Sequence, residues 1–115
     1  MQRYKVTFKT ESGIPKALRN YCNKCGISAW TFCATTIAER LQKPLDFSIA
    51  EIEQKRPHDS GKFERFDFGI SDAIVQEQLR LIPEDYGVSL NWFFVKTIAE
   101  KLTELGYSFK PIRKS

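Results

Sequence analysis

The chain repeats itself once, without a gap. The segment GISAWTFCATTIAERL at 26–41 returns as GVSLNWFFVKTIAEKL at 87–102. Gly26 corresponds to Gly87, Ser28 to Ser89, Phe32 to Phe93, and Thr36-Ile37-Ala38-Glu39 to Thr97-Ile98-Ala99-Glu100, always 61 residues apart. Upstream, Leu18-Arg19 and Leu79-Arg80 keep the same offset. Two copies are too few to stack into a solenoid. They are the number that makes an intramolecular pseudo-dimer. The 115 residues then divide into a first unit at 3–43, a connector at 44–62, a second unit at 63–105 and a basic tail at 106–115, together one domain over 1–115.

Each unit runs through the same three patterns. The first is alternation: Tyr4, Val6 and Phe8 share one face in the first unit, and Phe66, Phe68 and Ile70 share one face in the second. Period two in β-branched and aromatic residues predicts a half-buried strand. The second pattern is helical. Ile14, Ala17, Leu18, Tyr21, Cys22 and Cys25 form one stripe, with Ser12 as N-cap, Pro15 in the first turn and Gly26 closing the end. In the second unit Val75, Leu79, Ile82 and Tyr86 form the stripe, Ser71 or Asp72 caps it and Gly87 closes it. Pro83 departs from the pattern, and is expected to kink or shorten this helix by removing a hydrogen bond near its end. The third pattern is a second helix. Ser28 caps one with Trp30, Cys33, Ala34, Ile37, Ala38 and Leu41 apolar, and Pro44 stops it. Ser89 caps the other with Phe94, Val95, Ile98, Ala99, Leu102 and Leu105 apolar, and Gly106 stops it.

The strand decides how the units combine. A lone strand leaves a row of unpaired backbone groups, so one unit cannot complete itself, whereas two units pair their strands. The expected fold is mainly α with a two-stranded antiparallel β-ribbon lying on four helices. Pairing between chains in a swapped dimer is the competing topology. The connector holds Phe47, Ile49 and Ile52 at roughly helical spacing, which suggests a short helix, and HDSGK reads as loop.

Strand, helix, Gly-x-Ser and helix at this spacing resemble the ribbon-helix-helix family of Arc/MetJ-like repressors. Each half is similar to one subunit. The whole is similar to tandem, single-chain members such as plasmid conjugation accessory proteins, over about 3–43 and 63–105. The resemblance implies binding of double-stranded DNA, with the ribbon in the major groove and alternate outward residues reading bases. Carried onto this sequence, the readers are Lys5, Thr7 and Lys9 in the first unit and Arg65 and Asp67 in the second. Gly69, the next alternate position, has no side chain to read with. Asp67 accepts from cytosine but repels phosphate. The N-terminus of each second helix would hold a DNA phosphate, through Ile27, Ser28 and Ala29 and through Val88, Ser89 and Leu90, with Arg3 as a further phosphate contact. The resemblance implies no cofactor, and homo-dimerisation on the DNA.

Charge agrees with where DNA would lie. Residues 1–43 hold eight Lys/Arg against two acids, while 63–115 hold seven against eight. The basic surface therefore belongs to the first unit. The bland alternatives remain beside the sharp ones: Lys5, Thr7 and Lys9 also suit the wet face of an amphipathic strand, and Ser28 and Ser89 are good N-caps with or without a phosphate. Cys22-x-x-Cys25 invites a zinc or redox reading, but no second pair of ligands accompanies it and the only histidine, His58, lies in the connector. Cys22, Cys25 and Cys33 fit core stripes better. Trp30 aligns with Asn91 and fits the core stripe, whereas Trp92 with Phe93 suits a core edge or a contact surface for self-association. Lys110, Arg113 and Lys114 suit a solvated tail or DNA-backbone contacts.

No apolar run reaches membrane-spanning length and the first residues lack a signal-peptide core, so a soluble, cytoplasmic protein is expected, with no membrane and no small-molecule partner. No nucleophile–base pair, metal set or phosphate loop points to an enzyme. Two functions follow: a sequence-specific DNA-binding protein, acting as transcriptional repressor or plasmid/phage DNA-processing factor, or a protein-interaction module of a mobile element that keeps the fold without DNA reading.

Overall fold

The computed structural model describes residues 2–10, 13–45 and 63–108. Alternation produces strands β1 (Gln2–Lys9) and β2 (Phe63–Ile70), which pair antiparallel within the one chain, from Gln2 opposite Ile70 to Lys9 opposite Phe63. The alternate faces separate as expected. Val6, Phe8, Phe68 and Ile70 are buried, and Tyr4 and Phe66 are half-buried against the same core. Phe94 meets Tyr4 at 5.3 Å and Phe68 at 5.2 Å between ring centroids, both edge-on. Such aromatic pairs each add about 0.5–1.5 kcal/mol beyond their burial.

Four helices complete the described residues: α1 (Ile14–Cys25), α2 (Ala29–Arg40), α3 (Ala73–Tyr86) and α4 (Leu90–Glu104). The order strand, helix, helix therefore occurs twice. Each second helix is capped as its sequence predicts. Ser28 Oγ accepts from the Thr31 N–H at 3.0 Å, and Ser89 Oγ accepts from the Trp92 N–H at 3.0 Å. Of the two candidates at the start of α3, Asp72 is the cap, accepting from the Ile74 and Val75 N–H groups at 2.8 and 3.1 Å. At the start of α1 the N-cap is Gly13, left-handed at φ 85° and without a side-chain acceptor, while Ser12 lies outside the described residues. Gly26 and Gly87 close α1 and α3 at φ 71° and 70°, a conformation that a Cβ would strain.

The layers interlock. β1 packs against α4 and β2 against α2, while α2 and α4 pack against each other. Each strand thus rests on a helix from the other half of the sequence. Tyr86 OH, at the end of α3, donates to the Leu45 carbonyl at 3.0 Å, and Tyr107 OH, beyond α4, donates to Asn20 Oδ1 of α1 at 2.9 Å. Phe8, Phe68, Phe93 and Phe94 are fully or almost fully buried. Each contributes roughly 1.5–3 kcal/mol by leaving water.

Several expectations change. Trp30 is 40% exposed and not in the core. The buried face of α2 runs through Phe32, Cys33, Thr36 and Ile37, because β2 and α4 approach it from two sides and turn that face away from Trp30. By the same cause Phe93 is fully buried, not at an edge or on a contact surface, while its neighbour Trp92 is half-buried. Leu105 is 37% exposed because it is the C-cap, where the helical stripe no longer applies. Cys25 is exposed, unlike Cys22 and Cys33, since it is the last residue of α1. Pro83 does not shorten its helix: α3 runs on to Tyr86, as the lost hydrogen bond falls in the final turns, and the Pro83 carbonyl accepts from the Gly87 N–H at 3.0 Å. The helix suggested around Phe47, Ile49 and Ile52, the HDSGK loop with His58, and the basic tail residues Lys110, Arg113 and Lys114 lie outside the described residues. Among the described residues no helix is long and apolar enough to cross a membrane.

Candidate nucleic-acid interface

The outward face of the ribbon is the one whose side chains turn away from the core, and the hydrogen-bond phase fixes how closely they pair across it. The Thr7 N–H points away from β2 and donates to Asn91 Oδ1 of α4 at 3.0 Å. In an antiparallel ladder the residues whose N–H points outward form the non-hydrogen-bonded pairs, whose side chains stand closest together. Arg3 opposite Gly69, Lys5 opposite Asp67 and Thr7 opposite Arg65 are therefore close pairs. Arg3, Lys5, Arg65 and Asp67 are exposed, Thr7 is half-buried and Gly69 is buried. Lys9 ends β1 opposite Phe63. Among the described side chains the face carries three cations, Arg3, Lys5 and Arg65, and one carboxylate, Asp67, set directly across from Lys5.

Ion pairs among the described residues lie elsewhere. Arg19 pairs with Glu64 and sits 5.7 Å from the Phe66 ring centroid, so its charge serves the edge of the core. Lys96 pairs with Glu100 at 2.7 Å, Lys101 with Glu39 at 3.8 Å, and Arg80 with Glu77 and Glu84 along α3. The Arg80 guanidinium, chiefly by hydrogen bonding, holds the Glu77 carboxyl below its ordinary value.

Two Ser-capped helices pack against the ribbon, α4 beside β1, with Asn91 near its N-terminus bonded to the Thr7 N–H, and α2 beside β2. Each has its cap Ser exposed. Because the cap oxygen takes the third N–H of the helix, the first two N–H groups, at Ala29 and Trp30 and at Leu90 and Asn91, have no intrahelical acceptor. The two ends are not alike. Ile27 is 39% exposed, whereas the matching Val88 is buried. Ala29 and Leu90 are both half-buried.

Sequence reading missed Asn91 and the Arg19–Glu64 pair. Nothing in the local pattern marks Asn91, since its partner is a backbone group 84 residues away. Burial pushes the Cys22 thiol up and the Cys33 thiol to about 12, so neither supplies a thiolate at neutral pH. Among the described residues no group of three or more His, Cys, Asp or Glu side chains is placed to hold a metal ion.

Comparison with family models, curated proteins and solved structures finds no match for this chain. The architecture itself, a two-stranded antiparallel ribbon on a helical bundle, is of a kind compatible with nucleic-acid binding.

Proposed function

We propose that the chain is a tandem ribbon-helix-helix protein, folded as an intramolecular pseudo-dimer, that binds double-stranded DNA sequence-specifically. The ribbon enters the major groove, where Lys5, Thr7, Lys9, Arg65 and Asp67 meet base edges. Arg3 and the helix ends at Ile27, Ser28, Ala29 and at Val88, Ser89, Leu90 hold phosphates. The observation that carries the reading is the outward ribbon face, with Arg3, Lys5 and Arg65 exposed on a ribbon that packs against two Ser-capped helices, α2 and α4. A two-stranded ribbon fits the width of the B-DNA major groove, and Lys and Arg suit guanine O6 and N7.

The duplication has its own support. A shallow depression of about 70 Å³ between α2 and α4 is lined by Thr36 and Thr97, Glu39 and Glu100, Arg40 and Lys101, and Lys43 and Glu104. Every pair keeps the 61-residue offset, as expected of a surface lying on a pseudo-two-fold axis. On this reading the protein is a cytoplasmic transcriptional repressor or plasmid/phage DNA-processing factor without enzymatic activity or cofactor, and two copies sit side by side on the DNA.

Selection of bound duplexes from a random pool tests the reading. The expected result is one enriched motif bound with nanomolar-to-micromolar affinity that falls steeply with salt. Lys5→Ala is expected to relax the motif and lower the salt slope by about 1, at unchanged thermal stability. An enriched motif that Lys5→Ala leaves intact would remove base reading by β1. A second reading, a protein-interaction module, is favoured by Asp67 facing Lys5 and by the exposed Ile27 and Trp30. Absence of any salt-dependent duplex binding, with a stable protein partner in its place, selects it.

A further inference from the structure

We infer that Asn91 is the positioning residue of the reading strand, setting the bases met by β1 in register with the phosphate held at the start of α4. The inference rests on the DNA-binding reading above. A protein that grips DNA by a ribbon and by a helix end must hold the two at a fixed spacing, or base contacts and phosphate contacts compete. In this chain one residue joins them. Asn91 is the second residue of α4, so its backbone N–H is one of the two left open by the Ser89 cap. Its side-chain oxygen accepts from the Thr7 N–H at 3.0 Å, on the outer edge of β1. The same residue therefore offers a donor toward the phosphate site and fastens the strand that lies beside it.

The tie is one-sided. The position matching Asn91 in the first half is Trp30, 40% exposed. An indole has a donor and no acceptor, so Trp30 is unable to take a strand N–H as Asn91 does. The strand that is fastened is β1, which carries Arg3, Lys5 and Lys9. β2, with Asp67 and Gly69, lacks the equivalent bond. Asn91 thus stabilises the placement of the basic strand, and the bases under β1 are read more sharply than those under β2.

The test uses the full chain and the duplex it selects, with single-base-pair variants across the site. Asn91→Ala removes the acceptor. It is expected to lower discrimination at base pairs under β1 by about tenfold, to change discrimination under β2 by less than about twofold, and to leave the salt slope unaltered, because no charge is lost. In parallel the Thr7 amide loses protection from hydrogen exchange. Asn91→Asp keeps an acceptor oxygen at that place and is expected to restore both the Thr7 protection and the discrimination, at weaker overall affinity from its charge near phosphate. Should Asn91→Ala fail to fold, Asn91→Asp decides: retained discrimination supports the inference and lost discrimination overturns it. Full discrimination in a folded Asn91→Ala overturns the inference while leaving DNA binding in place. Failure of the unaltered chain to bind any duplex overturns both.

Discussion

Cys33 is fully buried, and that burial, with the nearby Cys22 thiol as a smaller cause, raises its thiol from 9.0 to about 12. The unfolded chain releases the same proton near the ordinary value. Between those limits the fold holds more protons than the unfolded chain, so the contribution is fully present below pH 9.0 and is lost as pH rises toward about 12. Urea unfolding at about pH 8 and about pH 10.5 is expected to show a loss of stability that Cys33→Ala reduces. An equal loss in the variant would mean that other groups carry it. Burial of Cys22 and Cys33 was legible from the helical stripe, because a small apolar side chain three or four residues from Leu or Ile has few other places to go. Exposure of Cys25 was not, because whether the last turn of a helix is covered depends on the neighbouring element. The same limit hid Asn91. Its role depends on which strand edge the fold brings to it.

At the scale of elements, period and caps carried most of the reading. Both strands were legible from alternation, and their inward residues are those of the pattern. α1 was legible because one face of it is buried, through Ile14, Ala17, Leu18 and Cys22. α2 and α4 were harder. Each is covered both by a strand and by the other helix, so Phe93, Phe94 and Val95 are buried in succession and a single stripe misplaces Trp30. The caps permit a direct measurement. Asp72 satisfies two N–H groups at the start of α3. Asp72→Ala is expected to cost about 1 kcal/mol in chemical denaturation, and Asp72→Gly only a few tenths. A cost as large for Gly as for Ala would point to packing at Asp72 instead of capping.

At the scale of the whole molecule, stability depends on both halves at once. Val6 and Phe8 of the first half are buried in a core shared with the second, whose β2 and α4 contact β1, and Tyr4 makes aromatic contacts with Phe68 and Phe94. A fragment of residues 1–45 would leave β1 without a strand partner and without α4. It is expected to yield no folded monomer, appearing unfolded by circular dichroism or self-associated by light scattering. A folded monomeric fragment would show that the first half completes its own core. This dependence was legible in the sequence, since a lone strand per unit demands a second. The intertwining of strands and helices was not, because alternation says which face is buried and not what covers it.

A ribbon made of unlike strands has a direction. Where two identical chains pair, a half-turn about the axis between them brings the surface back onto itself. Here the half-turn brings Arg65 to the place of Arg3 but Asp67 to that of Lys5 and Gly69 to that of Thr7, and it exchanges the held edge of Thr7 for one that lacks Asn91. The molecule therefore has a front and a back. On the DNA-binding proposal, a ribbon laid in a groove would distinguish the two senses of travel along the duplex, and a neighbour docked at its side would meet a different surface on the left than on the right.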